Sequence, residues 1–107
     1  MTERGAIYTM ASKGAYTGKP RPAIVLQNSS ISLDSLIVVP LTTTAVDAPL
    51  IRVPISANAA TGLKQMSFAM ADKLTTVPKS NLDKAIGKLD DTNMLEVERA
   101  LRLLLRL

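Results

Sequence analysis

The chain has 107 residues, 47% of them hydrophobic, and a formal net charge of +4, a size suited to one domain with one core. It has no cysteine and no histidine, which excludes disulfides, cysteine-based zinc sites and a histidine base. The positive charge is compatible with an anionic partner, either nucleic acid or an acidic protein segment, while only three aromatic residues argue against a broad platform for stacking bases.

Five strands are predicted from short runs of apolar and β-branched residues that turn residues separate. They span Gly5–Ala11, Ala23–Gln27, Ser35–Thr42, Leu50–Ser56 and Met66–Leu74. The second and third are apolar almost throughout, which indicates burial on both faces. The fourth alternates and is typical of a half-exposed strand or an edge strand. Pro40, in the third strand, predicts a bulge or a position that donates no hydrogen bond to a neighbouring strand. Thr75–Pro78 is expected either to continue the fifth strand or to bend it.

The last segment is predicted to be a helix with Asp90 or Asp91 as N-cap and a body from Met94 to Leu107. Its apolar arc is wider than packing on one sheet requires, so we expect most of it in the core and the rest in a dimer contact. Short strands followed by one helix are typical of an α+β fold or a small barrel.

No repeat, low-complexity tract or linker interrupts the chain, so residues 1–107 are expected to form one domain. The sequence contains no apolar run of membrane-spanning length, and its first residues lack the pattern of a signal peptide. We therefore expect a cytoplasmic protein without a membrane contact.

The stretch Gly18–Gln27 contains a basic loop in which two prolines surround an arginine at the start of an apolar strand. Each proline biases the preceding residue toward extended backbone, so Lys19 and Arg21 are both expected outside a helix. A guanidinium that is always charged and presents several donors suits a phosphate. The alternative is an ordinary solvated loop charge.

Seven short motifs follow one another in a specific order. They are Gly5–Tyr8, Lys19–Ala23, Val38–Thr42, Arg52–Ile55, Gly62–Lys64, Ala71–Val77 and Glu96–Leu101. In this order they resemble the MazF/PemK family of toxins from bacterial toxin–antitoxin modules, over nearly the whole chain from about Arg4 to Leu107. Each motif alone would be weak evidence.

The resemblance implies an SH3-like twisted antiparallel barrel with a C-terminal helix, acting as a homodimer. It also implies a metal-independent endoribonuclease without a cofactor, which cuts single-stranded RNA at short sequences and is silenced by an acidic antitoxin protein. The alternatives are a CcdB-like gyrase poison, disfavoured because the chain lacks the Trp-Gly-Ile ending of those proteins, and an RNA-binding barrel without catalysis.

The resemblance implies catalytic roles for Arg21, Thr42 and Asp72 near the dimer groove, and RNA contacts for Tyr16, Lys19 and Thr43. Some family members have a histidine or glutamate in the loop before the arginine, and others an arginine two residues before the carboxylate. This chain has Ala15 and Tyr16 in the first place and Met70 in the second, so neither base nor acid is assigned.

Each of these residues also has a second interpretation. Thr42 either fixes the phosphate or sugar, or is an ordinary β-branched strand residue. Asp72 orients Arg21 or accepts a proton, or it forms a structural ion pair instead. Tyr16 either acts as an acid or stacks on a base.

Overall fold

A computed structural model describes residues 3–10 and 21–107. Its strands and its one α-helix follow in chain order: β1 Ala6–Met10, β2 Arg21–Val25, β3 Ser35–Thr42, β4 Arg52–Ile55, β5 Ser67–Met70, β6 Thr75–Pro78, β7 Leu82–Lys88 and α1 Asp91–Leu105. Two short 3-10 turns, Ala71–Lys73 and Lys79–Asn81, separate β5 from β6 and β6 from β7.

All paired strands are antiparallel, in the order β4-β5-β3-β2-β1-β7, with β6 paired to β3. The expected antiparallel fold with a C-terminal helix is therefore confirmed. Among the described strands the pairings run from β4 to β7 without closing into a ring. β4 lies at one end of this path, in agreement with the edge strand expected there.

The long strand β3 has Pro40 within it and pairs with three neighbours. β2 lies on one edge of β3, while β6 and β5 follow one another along the other edge. Of the two sequence alternatives for Thr75–Pro78, the bend is the one observed: these residues form β6, which pairs with β3 after the 3-10 turn. The register shifts by three residues between β5 and β6, which is the length of the 3-10 turn Ala71–Lys73.

Two sequence expectations about the strands are wrong. The predicted fifth strand Met66–Leu74 ends at Met70, because the chain enters the 3-10 turn there. The strand β7, Leu82–Lys88, was not predicted at all. Its residues are mostly exposed and include three charges, so they lack the apolar run that indicates a strand.

The main core lies between the sheet and α1. It contains Ile7, Ile24, Val39, Leu41, Val53, Ile55, Leu63, Ala69, Ala71, Leu89, Val97 and Ala100. A second cluster, Ala23, Val25, Leu36 and Val38, lies under β6 and β7 and is covered by Val77 and Leu82. Alternate residues of β2 and β3 enter the two clusters, which explains why both strands are apolar almost throughout.

Asp90 is the N-cap of α1, since its Oδ1 accepts a hydrogen bond from the Asn93 backbone N–H at 2.7 Å. At the other end Arg106 adopts a left-handed conformation, with φ of 60°, and the Leu107 N–H donates to the Arg102 carbonyl at 2.9 Å. The helix therefore begins three residues before the predicted body and ends two residues earlier.

Candidate active site

A groove of about 690 Å³ opens where β1 and β3 end and where β2 and β5 begin. Antiparallel pairing brings these four strand ends together. The groove is lined by Thr9, Arg21, Pro22, Leu41, Thr42, Thr43, Gly62, Leu63, Lys64, Gln65, Ser67 and Ile86. Two of these described lining residues are cations and none is a carboxylate.

Arg21 and Thr42 both line this groove, at neighbouring ends of β2 and β3. The β2–β3 pairing ends at Ala23 and Pro40, and Arg21 and Thr42 each lie two residues beyond that pair. Side chains two residues apart on a strand lie on the same face, so both residues follow the face of the last pair. One phosphate can therefore contact both the guanidinium and the hydroxyl.

Thr42 is buried, and the Thr44 backbone N–H donates to its Oγ1 at 3.1 Å. This bond uses a lone pair of the hydroxyl and not its proton, so the proton can be donated to an anion. Arg21 is exposed at the first position of β2, where Pro22 follows it. Thr43, exposed after β3, lines the same groove. The structure thus brings three of the expected site residues together.

Asp72 does not lie among the described residues that line the groove. It follows the far end of β5 from Ser67, in the 3-10 turn, where Arg52 of β4 binds it. Arg52 Nε donates to Asp72 Oδ1 at 2.7 Å, and Arg52 Nη2 donates to Asp72 Oδ2 at 3.0 Å. These hydrogen bonds hold the pKa of the Asp72 carboxyl below its usual value and raise the pKa of Arg52.

The comparisons with known proteins agree with one another. Residues 3–105 match the family described as PemK-like, MazF-like toxin of type II toxin–antitoxin system. The chain belongs to this family. The family expected from the sequence motifs is therefore confirmed.

Relatives of this MazF-like toxin include the probable endoribonuclease MazF of Mycolicibacterium smegmatis. It is 50% identical over 99 residues, which cover 92% of this chain and 91% of that protein. The toxin MazF-mt6 of Mycobacterium tuberculosis is a solved structure with 27% identity and a TM-score of 0.81, covering 95% of this chain and 97% of that one.

A third relative supports the fold. The structure titled endoribonuclease in complex with its cognate antitoxin, from a mycobacterial species, is 22% identical, with a TM-score of 0.78. The match covers 100% of this chain and 97% of that chain. The antiparallel sheet and C-terminal helix are therefore those of the MazF structures.

Four polar residues that line the groove of this MazF-like toxin were not among the site residues expected from the sequence: Thr9, Lys64, Gln65 and Ser67. Thr9 is fixed by β7, because its Oγ1 accepts from the Lys84 N–H at 3.2 Å and donates to the Lys84 carbonyl at 3.5 Å. Lys64 was part of the motif Gly62–Lys64, which was a sequence signal for this segment but carried no indication of where it lies.

Tyr16 and Lys19 lie outside the described residues, so their expected RNA contacts stay predictions. Over residues 3–10 and 21–107, no group of three or more acidic side chains is arranged to hold a metal ion. No helix in the same part of the chain combines the length and apolar character needed to cross a membrane.

Proposed function

We propose that this MazF-like toxin is an endoribonuclease that cleaves single-stranded RNA in the groove, with Arg21 and Thr42 binding the scissile phosphate. The observation that carries the proposal is that Arg21 and Thr42 both line the groove, at neighbouring ends of β2 and β3. The 50% identity to a probable endoribonuclease supports it. Residues 1–107 act in this proposal as one toxin domain.

In this reaction the ribose 2′ oxygen attacks the adjacent phosphorus, and the bond from phosphorus to the 5′ oxygen breaks. The 2′ hydroxyl loses its proton and the leaving 5′ oxygen gains one, which gives a 2′,3′-cyclic phosphate and a 5′ hydroxyl. Negative charge accumulates on the non-bridging oxygens in the transition state. Paired donors of Arg21 stabilise that charge, and the Thr42 hydroxyl donates to the same phosphate.

The assignment of Asp72 to this chemistry is replaced in our proposal by a structural role. Its two carboxylate oxygens each accept a hydrogen bond from Arg52, and it follows the opposite end of β5 from Ser67 of the groove. The structural ion pair, which the sequence left open as an alternative, is therefore the interpretation that we adopt for Asp72.

The proposed partners follow from charge and apolar exposure. A solved relative is in complex with its cognate antitoxin, and we propose that an acidic antitoxin binds this chain, whose net charge is +4. We also propose a homodimer, because Leu103 and Leu104 of α1 are 56% and 41% exposed and Leu107, just after the helix, is 86% exposed. We propose that the protein acts in the cytoplasm, because the RNA substrate of the proposed reaction is found there.

The test is incubation of the purified protein with a long single-stranded RNA in EDTA, followed by mapping of the ends. We expect discrete cuts with cyclic-phosphate ends, without added metal. Arg21→Ala should lower the rate about 100-fold or more. Arg99→Ala, which removes an exposed arginine of α1, is the matched control and should retain the wild-type rate.

Two results would contradict the proposal. RNA that stays intact across many sequences would exclude cleavage as the activity of this chain. RNA binding that Arg21→Ala weakens, without any turnover by the wild type, would instead favour the RNA-binding barrel that the sequence left open.

A further inference from the structure

Lys64 is a second cation in the groove that contains Arg21. It lies in the segment between β4 and β5, and its side chain is exposed. Arg21 and Thr42 come from neighbouring strands, whereas Lys64 comes from the segment between β4 and β5, whose residues Gly62 to Gln65 line the groove and are called here its second wall. The two positive charges of the groove therefore come from β2 and from this second wall.

The wall begins with a tightly hydrogen-bonded turn around Thr61, which is only 4% exposed. Thr61 Oγ1 donates to the Ser56 carbonyl at 2.8 Å and accepts from the Asn58 N–H at 3.2 Å. The Thr61 N–H donates to Asn58 Oδ1 at 2.9 Å, and the Gly62 N–H donates to the Asn58 carbonyl at 2.9 Å. This turn fixes the backbone that leads into the groove.

Two glycines then let the turn pack directly on β7. Gly62 has φ of +69°, and a Cβ there would overlap the Ile86 carbonyl; a Cβ on Gly87 would overlap the Thr61 carbonyl. Leu63 is part of the main core. On the other side of Lys64, the Ser67 hydroxyl donates to the Gln65 carbonyl at 3.0 Å. Lys64 is therefore held between anchored residues.

We propose that Lys64 binds the phosphate of an RNA nucleotide next to the scissile one. The inference rests on the proposed function, because it requires RNA in the groove. Arg21 and Thr42 form a site for one phosphate, and a single strand that continues past it presents the next phosphate to the other wall. A lysine ammonium is a compact charge suited to such a contact, which adds affinity in a salt-dependent way.

The test measures the binding of a single-stranded RNA that carries 2′-O-methyl groups, so that it cannot be cut, over a series of salt concentrations. Each phosphate contact to a single strand contributes about 0.7 to the slope of log affinity against log salt. Lys64→Ala should reduce the slope by about 0.7 and weaken binding about fourfold at 0.15 M salt. Lys64→Arg should restore both.

The matched control is Lys73→Ala, which removes an exposed lysine beyond the far end of β5 and should leave the slope unchanged. On cleavable RNA, Lys64→Ala should raise KM about as much as it weakens binding and leave kcat near the wild-type value. Lys64→Gln keeps a polar side chain and should behave like Lys64→Ala. The far-UV circular dichroism of each variant establishes that it is folded.

The outcomes separate the two proposals. If the wild type cuts RNA and Lys64→Ala keeps the wild-type slope, or if Lys73→Ala lowers it equally, the inference about Lys64 is wrong and the proposed function stands. If the wild type leaves unmodified RNA intact, the proposed function is wrong, whatever the slope. A loss of kcat with an unchanged slope would also overturn the phosphate contact.

Discussion

Arg52 binds the carboxylate of Asp72 through two hydrogen bonds, of 2.7 Å from Nε and 3.0 Å from Nη2. The pair joins the edge strand β4 to the 3-10 turn Ala71–Lys73, whose three residues account for the register shift between β5 and β6. The arginine side chain is 10% exposed and the aspartate side chain 27%. We therefore expect this pair to stabilise the bend of the sheet.

Asp72→Asn should lower the free energy of unfolding at pH 7 by about 1–3 kcal/mol, the range for hydrogen bonds to charged groups. The pKa of Asp72 is lowered in the folded protein, so its stabilisation is present above the unfolded value near 4 and is lost as pH falls through the folded pKa. Urea unfolding from pH 7 to pH 2 should show the wild type and Asp72→Asn converging at low pH.

Asp83→Asn is the control, because it removes an exposed carboxylate of β7 and should change stability little.

The same proteins test the role of Asp72 in cleavage. Asp72→Asn should keep the RNA cleavage rate within a few-fold of the wild type under conditions in which it is folded. A loss of cleavage rate as large as that of Arg21→Ala would show that Asp72 is a catalytic residue after all.

The position of Asp72 illustrates what the sequence could not predict. The alternating side chains of Met66–Leu74 predict one continuous strand, because each residue is locally compatible with a strand. The 3-10 turn inside it depends on β3, which accepts β5 and β6 with a shifted register. The residues of β3 that pair with β5 and β6 are distant from them in the sequence, so the local pattern of residues does not reveal this shift. β3 itself was predicted with its observed bounds, since its alternate apolar residues are buried in the two core clusters on opposite faces of the strand.

Substitutions of Thr42 can separate the role of its hydroxyl in cleavage from its role as a β-branched residue in the strand. Thr42→Val keeps the β-branched shape and removes the hydroxyl, both as a donor and as the acceptor of the Thr44 N–H. We expect the single-turnover rate to fall about 10-fold or more and the free energy of unfolding to fall by about 1 kcal/mol. Thr42→Ser keeps the hydroxyl and should retain most of the activity. Single-turnover cleavage rates with saturating enzyme measure the effect.

Thr9→Val is a matched control for this pair, because Thr9 also lines the groove but its hydroxyl is bonded to the Lys84 backbone. It should reduce the single-turnover rate less than Thr42→Val does. Equal losses in the two variants would show that the Thr42 hydroxyl has no special part in the reaction.

The sequence predicted those site residues that lie in recognisable local motifs. Arg21 and Thr42 occur in recognisable motifs at strand ends, and antiparallel pairing then brings these ends together. Thr9 and Lys64 lie in the same groove, but the residues next to them in the sequence do not indicate this position. They reach the groove because β7 pairs with β1 and packs against the Thr61–Gly62 backbone, and β7 was missed.

Gly62→Ala tests that packing. The substitution adds a side chain at φ of +69° and pushes its Cβ into the Ile86 carbonyl. We expect the free energy of unfolding to fall by about 2–5 kcal/mol, from backbone strain and overpacking together. Gly5→Ala is the control: φ is +93° there, but the nearest atom is the end of the flexible Met94 side chain at 3.3 Å. Denaturant unfolding should show a smaller loss for Gly5→Ala, and equal losses would refute close packing on β7.

The exposed leucines at the end of α1 make the proposed dimer testable. In a two-fold symmetric dimer each substitution enters the interface twice, and a buried carboxylate loses the apolar contact and its hydration. Leu103→Glu should therefore raise the dimer dissociation constant at least about 10-fold, measured by analytical ultracentrifugation. Leu95→Glu is the matched control, because Leu95 is 61% exposed in the first turns of the same helix. A dimer that tolerates Leu103→Glu, or that Leu95→Glu weakens equally, would exclude this end of the helix as the dimer contact.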